Sequence, residues 1–178
     1  MKDNLIPIFI DAVLPLIFII SAFLWGDWKN WTRYYPTILF VMLLDLFAGL
    51  MMYNHPLWYF EETVILPNDT LTNLVIVFAM FPATVLIFLA NYPKKWSKQI
   101  VWILFWIVIF SLIEYIASQH GRTTYHNSWS FRWSVLFNCI TFPVLRLHHS
   151  RPLLAWLIGL PVAFFIFLYF NFSITDMK

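Results

Sequence analysis

Ile100-Val-Trp-Ile-Leu-Phe-Trp-Ile-Val-Ile-Phe-Ser-Leu-Ile-Glu-Tyr-Ile-Ala-Ser118 holds one charged residue, Glu114, in an otherwise near-continuous apolar and aromatic run. At 1.5 Å per helical residue, such a run matches the roughly 20 residues that cross about 30 Å of hydrocarbon. Its continuity argues against a membrane β-strand, which alternates apolar and polar residues over about 10 positions. Five more stretches read the same way, at about 5–25, 36–54, 72–92, 130–147 and 152–172. The expected fold is therefore all-α. It is a polytopic transmembrane helix bundle with six spans, one domain over 1–178 and both termini external.

Composition points the same way. Of 178 residues, 61% are hydrophobic and 11% charged, against roughly 25% charged in soluble domains. A soluble fold of this size has too little interior to hide that surface, so the implied solvent is a lipid bilayer. The net charge is +2 and the longest basic run is Lys94-Lys95, which gives no footing for nucleic acid. Cys139 stands alone and cannot form an intrachain disulfide. The first stretch begins Met1-Lys2-Asp3-Asn4, contains Asp11, Pro7 and Pro15, and ends in Trp25-Gly26-Asp27-Trp28 without a small-residue cleavage site. It reads as an uncleaved span and not as a signal peptide.

Lys and Arg in short loops set the orientation. Lys29, Arg33, Lys94, Lys95, Lys98, Arg146 and Arg151 fall on one side; Lys2, Arg122, Arg132 and Lys178 fall on the other. The first group is expected to be cytoplasmic. Trp25, Trp28, Trp31, Tyr34 and Tyr35 flank the first inner loop, as belt residues do. Phe81-Pro82 and Phe142-Pro143 open a short echo that suggests a parallel repeat of helix pairs.

Asp11, Asp45 and Glu114 lie inside the apolar stretches. A charge at mid-bilayer costs roughly 2.5–3.5 kcal/mol on insertion scales, so such residues usually face a bundle interior or a wet cavity. Asp45 is expected about 14 Å from the inner edge, Glu114 about 21 Å, and Asp11 about 9 Å below the outer surface, where it can reach the interface. Ser111, Glu114 and Ser118 share one helical face; Ser134, Asn138 and Thr141 share another. These faces predict a polar seam between the fourth and fifth spans. Thr37, Asp45 and Gly49 align on the second span, where glycine permits close helix approach. Arg132 is placed to pair with Glu114.

His120, Arg122 and His126 sit on the predicted outer side, in a loop rich in donors and aromatics. Their spacing matches no metal motif, and neither a phosphate loop nor a serine-hydrolase elbow is present, so no metal and no cofactor is expected. His148 and His149, beside Arg146 and Arg151, read as contacts to lipid phosphates. Prolines 7, 15, 82, 143 and 161 are candidate kinks.

Trp-Gly-Asp-Trp-Lys-Asn-Trp (25–31), Tyr-Tyr-Pro-Thr (34–37), Phe-Pro-Ala-Thr-Val (81–85), Tyr-His-Asn-Ser-Trp (125–129) and Arg-Leu-His (146–148) carry a resemblance. The chain resembles small, uncharacterised six-span membrane proteins of spore-forming Gram-positive bacteria. The resemblance implies a bacterial plasma membrane and a helical bundle; it brings no activity. The leading expectation is a handler of a small solute or ion. Asp45, Glu114, Asn138 and nearby Ser and Thr line its outward pocket, with His120, Arg122 and His126 at the entrance. The alternatives are an enzyme acting on a lipid or isoprenoid headgroup, with Glu114 and a histidine as acid and base, and a subunit that binds another membrane protein.

Overall fold

The computed structural model describes residues 5–173; Lys2 and Lys178 lie outside them. Six helical rods run through the described residues. The first joins α1 (Leu5–Ile8), a π-helical turn (Phe9–Val13) and α2 (Leu14–Trp25). The second is α3 (Tyr35–Met51), reached through a 3-10 turn at Trp28–Arg33. The third joins α4 (Asp69–Val75), a second π-helical turn (Ile76–Met80) and α5 (Phe81–Ala90). The others are α6 (Trp96–Gln119), α7 (Phe131–Ser150) and α8 (Pro152–Tyr169).

Ile6–Trp25, Asp69–Ala90, Trp96–Gln119 and Pro152–Tyr169 are long and apolar enough to cross a membrane. The other two rods differ for readable reasons. α3 has 17 residues, which at 1.5 Å each span about 26 Å. α7 has 20 residues but interrupts its apolar face with Arg132, Ser134, Asn138, Thr141, Arg146 and two histidines. Much of the exterior is apolar: only 6% of the α8 window and 17% of the α6 window are buried inside the protein. That is the inverse of a soluble bundle, where the outer face is polar.

The rods alternate between two poles. At one, the Asn91 side-chain amide donates to the Trp25 carbonyl at 2.8 Å, Tyr34 stacks on His149, and Arg146 lies over the Tyr92 ring. At the other, the two inter-rod loops pair as an antiparallel ribbon, β1 (Trp58–Phe60) with β2 (Thr123–Tyr125), with Trp58 opposite Tyr125. This ribbon is an addition to the all-helical expectation, which left both segments as loops. Leu57, Trp129 and Phe170 pack into a small buried cluster beside it.

α5 is the central helix. Its residues Ala83 to Leu89 are all buried, as a helix apolar on every side must be. Phe88 is fully enclosed and meets the rings of Trp106 and Phe142. The tight crossing is at Gly26, where an added Cβ falls 2.4 Å from the Ala22 carbonyl oxygen and 2.7 Å from Leu86. Gly49, assigned a close approach on sequence grounds, has only the Asn73 amide at 4.0 Å and does not mark one.

Two of the candidate kink prolines act through the π-helical turns. Pro15 and Pro82 have no N–H to give to Asp11 and Phe78. The residue before each proline bonds five positions back instead, Leu14 to the Phe9 carbonyl and Phe81 to the Ile76 carbonyl. The turn widens there and the ladder resumes beyond the proline. Pro143 and Pro161 sit inside α7 and α8.

Candidate functional site

A cavity of about 410 Å³ runs inside the bundle, lined from Phe40 and Leu145 in the basic-pole half to Leu57 and Trp58 at the ribbon. That volume falls within the roughly 300–1,000 Å³ of small-molecule sites. Its wall is mostly Phe, Leu, Ile, Val and Met. Four charged side chains line it: Asp11, Asp45, Glu114 and Arg122.

Each charge arrives from a different element. Asp45 stands six residues before the end of α3, about 9 Å from the ribbon pole, and Glu114 five before the end of α6, about 7.5 Å. The Asn73 amide on α4 donates to Asp45 Oδ2 at 3.0 Å. The Tyr125 hydroxyl on β2 donates to Glu114 Oε1 at 2.8 Å. Burial pushes the Tyr125 phenol above its ordinary range, and its bond to the Glu114 carboxylate and that group's charge push it further. At neutral pH the Tyr125 phenol therefore keeps its proton. Among the described residues no cation lies within ion-pair distance of Asp45 or Glu114.

Asp11 and Arg122 behave differently. The Arg122 Nε donates to Asp11 Oδ1 at 2.7 Å, with both side chains nearly inaccessible. Nη2 donates to the Thr72 hydroxyl at 2.6 Å, and Nη1 donates to the Glu61 carbonyl. The Thr63 hydroxyl donates to the other oxygen of Asp11. One guanidinium thus ties the first rod, the 61–63 loop, α4 and the segment after α6. The π-helical turn at Phe9–Val13 carries Asp11 to this junction.

The sequence-derived site residues divide into two groups. Asp45, Glu114, Ser134, Asn138, Thr141 and Arg122 line the cavity. Ser111, Ser118, His120, His126 and Arg132 do not. The seam between the fourth and fifth rods exists as a contact, the Asn138 amide donating to Ser111 Oγ at 3.4 Å, while Ser134 Oγ instead accepts from the Trp129 indole just before its own helix at 2.9 Å. Ser118 and Thr141 turn back to the Tyr115 and Phe137 carbonyls of their own helices.

Three roles change. Arg122, expected at an open entrance, is engaged on all sides and buried, because an unpaired guanidinium inside the bundle is costly. Asp11, expected to reach the interface, is its buried partner. Arg132 is exposed, and Glu114 takes its hydrogen bond from Tyr125. At the far pole, His148 does not face outward to phosphates; it stacks on Phe40 and its Nδ1 lies 3.0 Å from the Thr37 hydroxyl.

Sequence reasoning missed Asn73 and Tyr125. Asn73 sits just inside an apolar stretch and looks like a helix-end residue. Asn73 and Asp45 lie at similar heights from the same pole, about 6 and 9 Å, and that match was the available signal. Tyr125 looked like a belt aromatic, and nothing in the sequence pairs it with Glu114. A further polar atom was also unmarked: the Thr84 hydroxyl, on the cavity wall, is buried and has no hydrogen-bond partner. A buried hydroxyl without a partner costs roughly 1–3 kcal/mol relative to a satisfied one.

No protein-family model matches the chain, and no curated protein or solved structure matches it. The functional reading therefore rests on the cavity itself.

Proposed function

We propose that this chain is a six-span protein of a bacterial plasma membrane that handles a small solute or ion through the carboxylate-lined cavity, with the ribbon pole outside. The observation that carries the reading is the placement of Asp45 and Glu114 on one cavity wall system, each with a neutral donor and neither with a counterion among the described residues. Two carboxylates with no structural cation are expensive in low dielectric unless a ligand or proton uses them.

The six-span topology draws on the alternation of the rods and on charge. Lys29, Arg33, Lys94, Lys95, Lys98 and Arg151 are exposed at the basic pole or partly so. At the ribbon pole Arg122 is neutralised by Asp11, which leaves Arg132 as the exposed Lys or Arg among the described residues. Over the whole sequence the count of Lys and Arg is seven against four, which favours a cytoplasmic basic pole. The plasma membrane and bacterial setting rest on the resemblance of the sequence motifs. The enzyme alternative gains no support from the site, since neither His120 nor His126 lines the cavity.

The test is flux. Purified protein in liposomes containing a pH-sensitive dye, under an imposed pH gradient and with inorganic or small organic cations supplied on one side, is expected to pass protons or cations faster than protein-free liposomes. Glu114→Gln is expected to lower that flux by about tenfold or more, the factor that ~1.4 kcal/mol represents, with the folded yield unchanged. Flux equal to that of empty liposomes, or unchanged in both Glu114→Gln and Asp45→Asn, contradicts the reading.

A further inference from the structure

We infer that the solute is an amphipathic organic cation: one positive charge carried on a bulky apolar body. The inference rests on the reading of the cavity as the functional site and specifies its ligand class.

Charge decides the sign. Of the charged side chains on the wall, Arg122 and Asp11 neutralise each other, and each of the three guanidinium nitrogens already donates to a protein group. Asp45 and Glu114 remain, on α3 and α6, both facing one space. A neutral apolar ligand gives no reason for two carboxylates in that space, because leucine or glutamine there avoids the burden of a buried charge.

The wall decides the body. A bare inorganic ion must exchange its water shell for several protein oxygens. Among the described residues no three His, Cys, Asp or Glu side chains come together to supply them. Asp45 and Glu114 stand on separate helices, Asp45 beside the Asn73 amide and Glu114 beside the Tyr125 and Ser134 hydroxyls. Most of the remaining wall is apolar and aromatic, with Phe47, Phe81, Phe110 and Phe137 among its rings. Apolar surface takes up an organic body, and ring faces attract a diffuse, weakly hydrated cation within about 6 Å. The volume is that of a site for an organic molecule and far exceeds an ion. The unpartnered, buried Thr84 hydroxyl is an independent sign that something other than protein atoms completes this wall.

Tetraphenylphosphonium and tetraphenylborate test the inference, since they share shape and apolar surface and differ in sign. Equilibrium binding of each is measured on the purified full chain in an uncharged detergent. The cation is expected to bind about one per chain and at least about tenfold tighter than the anion, a difference of the size one buried charge interaction produces. Asp45→Asn and Glu114→Gln are expected to weaken the cation and leave the anion unchanged. Equal affinity for the two ions, or preference for the borate, overturns the inference and leaves the cavity reading standing, since the space then binds by apolar contact alone. Cation binding that survives both substitutions also overturns it. Binding of neither ion overturns it as well, and the flux experiment then decides whether the cavity reading falls too. Should a variant fail to fold, the comparison of the two ions on the unaltered protein still decides the sign.

Discussion

Asp11→Leu is expected to destabilise the folded protein by about 3–5 kcal/mol, the range found when one partner of a buried ion pair is removed. The Arg122 guanidinium is nearly inaccessible and its Nε has no acceptor other than Asp11. Guanidinium groups do not shed their proton in proteins, so the substitution leaves a fixed charge inside the bundle. The loss has a long reach, because the same side chain holds the Glu61 carbonyl and Thr72. Loosening it frees the 61–63 loop and the ribbon together. Thermal unfolding in detergent, followed by monodispersity on gel filtration, checks the single variant. Asp11→Leu combined with Arg122→Met is expected to regain most of the loss, since apolar replacement of a whole buried pair is often neutral. A double variant as unstable as the single one would show that the pair's charges are not the cause.

Gly26→Val is expected to be the second severe substitution. The Gly26 Cβ position meets the Ala22 carbonyl oxygen, which already accepts from the Gly26 N–H at 2.8 Å and the Trp28 indole at 2.7 Å. On its other side is Leu86, 2% exposed in the filled core around α5. Neither neighbour has room to retreat, so the end of α2 must move off α5. Overpacking of this kind costs about 1–3 kcal/mol and sometimes more. Gly49→Val is the matched control: its surroundings are open, and little change is expected. Comparable melting temperatures for the two variants would contradict the assignment of the tight crossing to Gly26.

The helical rods were legible because hydrophobic continuity over about 20 residues has few other readings. The carboxylates were legible for the same reason: Asp45 and Glu114 are conspicuous against an apolar background. Their partners were not. Asn73 and Tyr125 come from loop-proximal positions, and a hydrogen bond between elements tens of residues apart leaves no periodic trace. The Asp11–Arg122 pair joins positions 111 apart in sequence. Each residue was conspicuous alone, but pairing them required the fold of both loops into the β1–β2 ribbon. Three-residue strands are too short to announce themselves by alternation. The π-helical turns were invisible too, although each is tied to a visible cause, the proline that follows it.

The central proposal is that the carboxylate-lined cavity is reached from outside the cell. Asn138 lines that cavity, whereas its neighbour Cys139 faces outward from α7. Asn138→Cys in a Cys139→Ser background supplies one reporter thiol on the wall. The measurement is its rate of reaction in intact cells with two membrane-impermeant methanethiosulfonates, one carrying trimethylammonium and one carrying sulfonate. The account predicts reaction from outside, faster with the cationic reagent, and a smaller preference once Glu114→Gln is added. A thiol that reacts only after denaturation, reacts only in inside-out vesicles, or prefers the sulfonate would contradict it.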